Sequence, residues 1–243
     1  MKTAGKHIVI TGGTSGIGLE LLRQLQANNE VTIIARQSCK LDKVRNTYDR
    51  IRIHEVDLAN LKQVEELAAA MAAAGRKIDI LINNAAVQYT PQFLDDDFQI
   101  ETIRREIDTN FTSVCILTFH LLPSLLQSAP SIILNVNSGL AIAPKTDSAI
   151  YCATKSALNA FSQSLAYQLE GTNVCVKQAF LPLVDTEMTR GRGAGKMPAK
   201  EAAAKIVQGL DSPAAVIDIG KVKLLRTVNR LSPGLARKIM KAG

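Results

Sequence analysis

Short apolar runs alternate with longer helical patterns along most of the chain. Runs rich in Val, Ile and Leu predict strands at residues 7–11, 31–35, 51–56, 79–82, 131–136, 174–180 and 215–219. Apolar residues at helical spacing predict helices at 16–28, 40–47, 60–74, 97–127, 149–170 and 199–209. Most of the strand runs are apolar throughout, which is typical of parallel strands covered by helices on both faces. The order of elements therefore predicts an α/β fold with a single doubly wound parallel sheet and helices on both faces.

Two segments depart from this alternation. Residues 188–198 carry three glycines among basic residues without an apolar period, so we expect a mobile loop there. Residues 221–243 mix apolar and basic residues in a broadly helical pattern, which Pro233 and Gly234 interrupt. We therefore predict one α/β domain over residues 1–220 and a basic C-terminal extension over 221–243 that packs on it or beside it.

The composition is that of a globular protein whose excess charge lies in one segment. Hydrophobic residues make up 47% and charged residues 21% of the 243 positions, which excludes a disordered or low-complexity chain. The net charge of +7 comes from 29 Lys and Arg against 22 Asp and Glu. Because residues 221–243 hold seven basic residues and no acidic one, the rest of the chain is formally neutral.

Cysteine usage indicates a reducing compartment. The chain has four dispersed cysteines, Cys39, Cys115, Cys152 and Cys175, with no C-x-x-C pair and no Cys/His cluster. We therefore predict reduced thiols, no metal site and a cytoplasmic location. The sequence also shows no apolar signal segment and no uninterrupted apolar stretch long enough to span a bilayer, so we expect a soluble or at most peripheral protein.

A glycine-rich turn joins the first strand to the first helix. The strand His7–Thr11 leads into TGGTSGIG, residues 11–18, which we call the glycine turn. Gly12 can turn the chain tightly, Gly16 lets backbone N–H groups approach a pyrophosphate, and Gly18 lets the helix pack closely on the sheet. The helix N-terminus then faces the anion. This strand-turn-helix context favours a Rossmann-like dinucleotide site over a tight turn without a ligand.

The ends of the second and third strands carry two further candidates. Arg36 stands where an acidic residue would hydrogen-bond a free ribose hydroxyl. A guanidinium pairs with an extra phosphate, so Arg36 favours NADP(H); NAD(H), or a solvated Arg at a strand end, is the alternative. Asp57 can accept from an adenine amino group or cap the helix that begins near Asn60.

Ser138, Tyr151 and Lys155 form a second constellation. Tyr151 and Lys155 are four residues apart on a predicted helix, so they share one face. A neighbouring ammonium favours the phenolate, and we therefore expect a lowered pKa for Tyr151. Ser138 follows a strand at the carboxyl edge of the sheet, where its hydroxyl can polarise a substrate carbonyl. A lone Tyr/Lys pair would be a surface contact, but here three features coincide in order.

These residues resemble the short-chain dehydrogenase/reductase family from Lys6 to about Thr186. The resemblance rests on the glycine turn, Asp57, Asn83-Asn84-Ala85, Asn110, Ser138, Tyr151-x-x-x-Lys155, Pro182 and Thr186. It implies a catalytic domain that transfers hydride between NADP(H) and a carbonyl or alcohol substrate, with Tyr151 as general acid and base. By the same resemblance Ser138 orients the carbonyl, Lys155 binds the nicotinamide ribose, and Asn110 holds a water that relays protons.

The resemblance also implies a set of cofactor-binding residues. They are Gly12, Thr14, Ser15, Gly16, Ile17, Gly18, Arg36, Asp57, Leu58, Asn83, Ala85, Tyr151, Lys155, Pro182, Val184 and Thr186. Two positions depart from the family pattern: Ala86 replaces the last Gly of Asn-Asn-Ala-Gly, and Leu183 replaces a Gly whose positive φ it loses. A catalytically silent NADP(H)-binding regulator would tolerate both changes and is the alternative function.

The partners follow from the same resemblance and from the basic extension. Helices 97–127 and 149–170 resemble the family's interface in a homodimer or homotetramer. The extension resembles that of bacterial DltE-type members. We favour an extension that packs on the domain or covers the active site; the alternative is contact with anionic lipid or a partner. No nucleic-acid partner is expected, because no recognition motif accompanies the charge. The basic loop at 189–196 suits an anionic substrate or is simply solvated.

Overall fold

The computed structural model describes residues 3–241 and contains a seven-stranded parallel sheet. The strands are β1 (His7–Thr11), β2 (Glu30–Ala35), β3 (Arg52–Glu55), β4 (Ile80–Asn83), β5 (Ser131–Ser138), β6 (Val174–Leu181), β7 (Val184–Asp185), β8 (Met197–Pro198) and β9 (Val216–Asp218). The short strands β7 and β8 pair separately. The main sheet has the order β3-β2-β1-β4-β5-β6-β9. The chain progresses in opposite directions on the two sides of the β1/β4 pair, and ligands bind at such a switch point.

Helices cover both faces of this sheet. They are α1 (Gly16–Leu25), α2 (Cys39–Thr47), α3 (Leu61–Ala73), α4 (Ile100–Ile107), α5 (Ser113–Leu126), α6 (Ala149–Gln168), α7 (Ala199–Asp211), α8 (Val222–Leu231) and α9 (Pro233–Lys241). One core cluster joins α1, α2 and α7 to one face, and a second joins α3, α5 and α6 to the other. The predicted α/β fold with a doubly wound parallel sheet is confirmed.

Strand β1 shows why the central strands are apolar throughout. Ile8 and Ile10 belong to the first core cluster and Val9 to the second, and all three are fully buried. Burying such a side chain contributes about 1.5–3 kcal/mol. The register pairs Ile10 with Ile82 of β4, so the loops after β1 and β4 leave the sheet side by side.

The structure differs from the expectations in two segments. The long predicted helix at 97–127 begins at Ile100 and contains a π turn, Asp108–Thr112, between α4 and α5. The segment 188–198, predicted as a mobile loop, is in part structured, because a 3₁₀ turn, Glu187–Thr189, opens it and β8 ends it by pairing with β7.

By length and composition, the stretch Ile100–Leu126 could cross a membrane, which we did not expect from the sequence. Half of its most apolar window is buried within the fold. Leu117, Leu121 and Leu125 lie in the core cluster beneath the sheet. Packing against the sheet accounts for these apolar residues.

The basic extension forms two helices, as its pattern predicts, with Pro233 opening the second. Arg226 of α8 donates from Nε and Nη2 to the two carboxylate oxygens of Asp218, at 2.7 and 2.8 Å. Its guanidinium also lies 4.4 Å from the ring centroid of Phe180. These contacts hold α8 against the ends of β6 and β9.

Candidate active site

Two adjoining cavities lie at the carboxyl edge of the sheet. One, the phosphate-side cavity, has a volume of about 320 Å³ and includes the glycine turn; the other, the Tyr151 cavity, has a volume of about 550 Å³. Both volumes are in the range of small-molecule sites. The two cavities share the lining residues Ile17, Asn84, Ala86, Thr186 and Met188. An elongated ligand can therefore extend from one into the other.

The glycine turn forms one wall of the phosphate-side cavity. Gly12 has a φ of +73°, which favours glycine. A Cβ atom placed on Gly18 would lie 2.0 Å from the carbonyl oxygen of Gly12, so only glycine lets α1 begin this close to the turn. Ser15, at the N-cap of α1, makes no side-chain capping hydrogen bond. A close backbone turn ahead of a helix N-terminus fits the phosphates of a dinucleotide.

The loop after β4 braces the glycine turn. The Thr11 hydroxyl oxygen accepts from the backbone N–H groups of Asn84 and Ala85, each at 3.0 Å. The Asn84 side-chain amide donates to the carbonyls of Thr11 and Gly12 at 3.0 and 3.2 Å. Asn84 thus positions the turn and lines both cavities, a role that the sequence analysis missed.

Asn83 lies elsewhere than expected. It is 2% exposed, its amide donates to Asn135 Oδ1 at 2.8 Å, and it lines neither cavity. Side chains of consecutive strand residues point to opposite faces, so the end of β4 directs one asparagine into the fold and the next to the site. All the other predicted cofactor residues line one of the two cavities.

Charges around the phosphate-side cavity are mostly paired. Asp57 Oδ2 accepts from Arg105 at 2.8 Å and Asp57 Oδ1 accepts from the N–H of Ala59, whereas Asn60 caps α3. Burial opposes the charge, but these two hydrogen bonds lower the pKa of Asp57 below its usual value. Arg36 is exposed at the cavity and forms no ion pair with any residue in 3–241.

The other carboxylate at this cavity, Glu187, is paired with Lys40. Because both acidic side chains at the cavity have partners, Arg36 is the basic side chain there that can meet an added negative group.

Ser138, Tyr151 and Lys155 meet at the Tyr151 cavity, although they come from β5 and α6. Tyr151 is 9% and Lys155 3% exposed. The Lys155 ammonium donates to the carbonyl of Val136 at 3.0 Å and lies 5.6 Å from the Tyr151 ring centroid. The spacing on α6 brings these two side chains together, as the sequence analysis expected.

The expected lowering of the Tyr151 pKa is wrong. Burial is the largest influence and raises the pKa of Tyr151, while the positive charge of Arg192 and a hydrogen bond with Ser138 oppose it more weakly. Burial also lowers the pKa of Lys155 to about 8. Tyr151 is therefore a neutral phenol at neutral pH, and a neutral phenol is a proton donor.

Asn110 lies in the π turn between α4 and α5 and is 1% exposed. Its Oδ1 accepts from the N–H of Val87 at 2.8 Å, and its amide donates to Val87 O and Thr154 Oγ1 at 2.9 and 3.2 Å. The side chain lines neither cavity. It ties the loop after β4 to α6, beside the residues that surround Tyr151.

The two departures from the family pattern leave the backbone unstrained. Ala86 lines both cavities, and Leu183 lines the Tyr151 cavity with 39% of its side chain exposed. Within residues 3–241, Ser148 is the one non-glycine residue with a positive φ, so Leu183 does not hold the conformation that would require glycine.

A buried carboxyl group beside the site was also missed. Glu106 of α4 is 2% exposed, and its Oε1 accepts from the N–H of Tyr89 at 2.7 Å. Burial raises the pKa of Glu106 to about 7, and its negative charge contributes to the raised pKa of Tyr151. No sequence signal distinguishes this Glu from the exposed charges of the same helix.

The chain is similar to named relatives over most of its length. It is 34% identical over 191 residues to the uncharacterized oxidoreductase DltE of Bacillus subtilis, covering 78% of this chain and 76% of that protein. It is 31% identical to the human very-long-chain 3-oxoacyl-CoA reductase and 29% to the mouse retinol dehydrogenase 13. The match covers 77% and 78% of this chain, but only 62% and 61% of those two relatives.

Solved structures share the fold. A short-chain dehydrogenase from Burkholderia cenocepacia in complex with NADP has a TM-score of 0.87 at 23% identity, over 99% of both chains. One from Sphingobium yanoikuyae in complex with NADPH has a TM-score of 0.80 at 24% identity, over 98% of this chain and 97% of that one. The short chain dehydrogenase family model matches residues 6–196. This chain belongs to the short-chain dehydrogenase family of oxidoreductases.

Proposed function

We propose that the protein transfers hydride between NADP(H) and a carbonyl or alcohol substrate. The observation that carries the proposal is the convergence of Ser138, Tyr151 and Lys155 in a cavity that adjoins the phosphate-side cavity. A dinucleotide long enough to span both would place its phosphates at the glycine turn and its nicotinamide beside Tyr151. When bound, NADPH supplies the hydride.

Each residue has a role that its surroundings support. In carbonyl reduction Tyr151 donates the proton of its hydroxyl to the substrate oxygen, and in alcohol oxidation the phenolate takes that proton back. Ser138 lies at the end of β5, from where its hydroxyl can hydrogen-bond the same oxygen. The Lys155 ammonium favours the phenolate that remains and can hydrogen-bond the nicotinamide ribose. Asn110 keeps the surrounding loop and α6 in place.

The proposed cofactor preference rests on Arg36. This exposed guanidinium, at the end of β2, has no ion-pair partner within residues 3–241, whereas Asp57 and Glu187 are both paired. The phosphate on the 2′ position of the NADP(H) ribose would pair with this guanidinium through charge-assisted hydrogen bonds. The similar structures from Burkholderia cenocepacia and Sphingobium yanoikuyae contain NADP and NADPH.

Replacement of the proton donor tests the function. Tyr151→Phe should lower turnover of a carbonyl panel with NADPH by about 10²–10⁴-fold, the usual contribution of a positioned acid. NADPH affinity, followed by fluorescence titration, should remain within about twofold, because the ring and its packing persist. Tyr167→Phe on the same helix is the control, since Tyr167 is 67% exposed. Wild-type turnover in Tyr151→Phe would refute the proton role, and NADPH binding without turnover in the wild type would favour a silent regulator.

We also propose a cytoplasmic homo-oligomer. All four cysteines are free thiols, as expected for a reducing compartment. Phe119 and Leu126 of α5 and Tyr167 of α6 are exposed to solvent in the single chain, so these helices offer an apolar surface to a second copy. Light scattering should give a dimer or tetramer for the wild type and a smaller species for Phe119→Glu.

A further inference from the structure

The geometry points to a substrate that is an anionic amphiphile: its apolar chain lies against α8 and α9, and its anionic group pairs with Arg192. This inference rests on the proposed function and names the substrate class of the same site. It uses parts of the Tyr151 cavity that the proton transfer does not, namely the wall made by the basic extension and the one basic side chain in the loop 189–196 that reaches the cavity.

The extension supplies much of the apolar wall. Six of its apolar side chains line the Tyr151 cavity: Val222, Leu224, Leu225, Val228, Ile239 and Met240. Two of them lie next to Ser138, because a Cβ placed on the following residue, Gly139, would be 3.3 Å from Leu225 and 3.4 Å from Val222. Leu140, Leu183 and Met188 of the domain also line this cavity. Binding of an alkyl chain against this apolar surface would remove methylene groups from water and so stabilise the complex.

Both ends of this wall are fixed to the body of the protein. The ion pair of Arg226 with Asp218 holds α8, and the Thr146 hydroxyl donates to the carbonyl of Lys241 in α9 at 3.0 Å. Thr146 precedes the helix that carries Tyr151. The apolar wall is thus held at a defined place beside the proton donor, as a specificity pocket requires.

The charge on this cavity is positive only. None of the side chains lining it within residues 3–241 is Asp or Glu, whereas four are basic: Lys145, Lys155, Arg192 and Lys221. Lys145 pairs with Asp147 at 2.9 Å, Lys155 donates to Val136, and Lys221 is exposed.

Arg192 is therefore the best placed of the four to meet a ligand. It is half-buried, has no ion-pair partner within residues 3–241, and lies near enough to Tyr151 for its charge to act on the phenol. A half-buried guanidinium without a counter-ion attracts one, and its planar fork suits a carboxylate or phosphate oxygen pair.

Ligand binding measured without cofactor tests both parts of the inference, because no hydride acceptor is then present to oxidise an alcohol. Calorimetry with hexanoate, octanoate and decanoate below their micellar concentrations should show affinity rising by about twofold to fourfold per added CH₂. 1-Decanol, which has the chain without the charge, should bind about tenfold more weakly than decanoate. Equal affinities across the chain series, or for decanoate and decanol, would overturn the inference.

Matched variants locate the two contacts. Arg192→Gln should remove the preference for decanoate over decanol, while Arg190→Gln, exposed and outside the cavity, should keep it. Leu224→Asn should flatten the dependence on chain length, while Leu231→Asn should not, because Leu231 lies on the same helix at 80% exposure and does not line the cavity. Both leucines are exposed, so neither change threatens folding. Equal losses in a variant and its control would contradict the assignment.

Turnover separates this inference from the proposed function. With NADPH, 4-oxodecanoate should have a higher kcat/KM than 2-decanone, and both should exceed acetone. Turnover of all three at similar kcat/KM would overturn the inference and leave the oxidoreductase proposal intact. Chain- and charge-dependent binding without any turnover would overturn the oxidoreductase proposal and retain the ligand class.

Discussion

The two cavities that meet at the carboxyl edge of the sheet are built in opposite ways. The largest group of residues lining the phosphate-side cavity is local: six come from the glycine turn, and the ends of β2 and β3, the loop after β4 and residues 186–188 supply most of the others. The Tyr151 cavity takes its walls from segments far apart in the chain, including the end of β5, the loop after β6 and the helices α8 and α9. The phosphate-side cavity has carboxylates that are paired with basic side chains, whereas the Tyr151 cavity, among the described residues, is lined by basic side chains and no carboxylate.

This contrast separates the residues suited to cofactor binding from those suited to substrate choice. A constant cofactor needs a fixed arrangement of backbone N–H groups and one discriminating charge, which a local motif can supply. A substrate is chosen by wall shape and charge, and here these come from loops and helices that follow the strand ends. Substitutions in the phosphate-side cavity should therefore leave substrate preference unchanged, and substitutions in the wall of the Tyr151 cavity should leave cofactor binding unchanged.

The largest effect on cofactor binding is expected at Gly18. Gly18→Val puts a branched side chain where a Cβ alone meets the Gly12 carbonyl oxygen at 2.0 Å, so the turn and α1 must separate. NADPH should bind about 100-fold more weakly, the scale of loss for misplaced binding groups. The unfolding free energy should fall by about 1–3 kcal/mol. Gly234→Ala in α9 is the control, since a Cβ there meets nothing within 4 Å; unchanged NADPH titration in Gly18→Val would contradict the geometry.

A change of charge on the same side should separate the two cofactors. Arg36→Ala should weaken NADPH binding by about 10–100-fold, the equivalent of a charge-assisted hydrogen bond of about 1.5–3 kcal/mol. NADH binding should stay the same, because NADH lacks the extra phosphate. Fluorescence titrations with both cofactors provide the measurement, and Arg50→Ala, exposed and outside the cavity, provides the control. A wild-type preference for NADH would reverse the proposed cofactor specificity.

On the Tyr151 side, Glu106 should make stability depend on pH. Burial raises its pKa from 4.5 to about 7, so between these values the folded state holds a proton that the unfolded state has lost. Stability falls as pH rises through this window, and the loss is complete above pH 7. Glu106→Gln keeps an acceptor for the N–H of Tyr89 without the charge, and its advantage over wild type should grow by about 2 kcal/mol from pH 5 to pH 8.

Urea unfolding at the two pH values provides the measurement for Glu106. Glu101→Gln, an exposed carboxylate of the same helix, should show no such change. An advantage of Glu106→Gln that is the same at pH 5 and pH 8 would mean that Glu106 does not titrate in this range.

The smallest effect is expected where the extension is anchored. The Arg226 side chain is 37% exposed, so solvent screens its pair with Asp218, and Arg226→Gln should lower the unfolding free energy by only about 1 kcal/mol. Hydrogen exchange should become faster in α8 while that of the glycine turn stays the same. Arg230→Gln, exposed on the same helix, should leave both rates unchanged. Faster exchange in the glycine turn would show that the two sides are coupled.

The sequence predicts the sheet because its signals are local. Each central strand is an apolar run, as in β1, and each crossover helix repeats apolar residues at its own period. The glycine turn and the Tyr151 to Lys155 spacing are also local, and the structure brings these residues to two adjoining cavities. The place of the glycine turn follows from its position after the first strand, and the proximity of Tyr151 to Lys155 follows from helix geometry.

What the sequence could not predict depends on distant contacts or on burial depth. The contact of α8 with Gly139 joins segments about eighty residues apart, and no periodicity reports it. Spacing shows that Lys155 neighbours Tyr151, but not that Tyr151 is buried deeply enough for burial to raise the pKa of its phenol. The motif contains two consecutive asparagines, Asn83 and Asn84, and the sequence does not show which side chain faces the site. In the structure Asn83 points into the fold and Asn84 towards the glycine turn.

The position of α8 and α9 in the chain has a consequence for biosynthesis. Domains form from the N-terminus as the ribosome releases them. The glycine turn, Ser138 and Tyr151 all emerge before α8, so a nascent chain can assemble the phosphate-side cavity while the Tyr151 cavity still lacks its apolar wall. During that interval the apolar 3₁₀ turn Gly139–Ala141, against which α8 later packs, is open to other molecules, and a chaperone that shields apolar surfaces would find its target there.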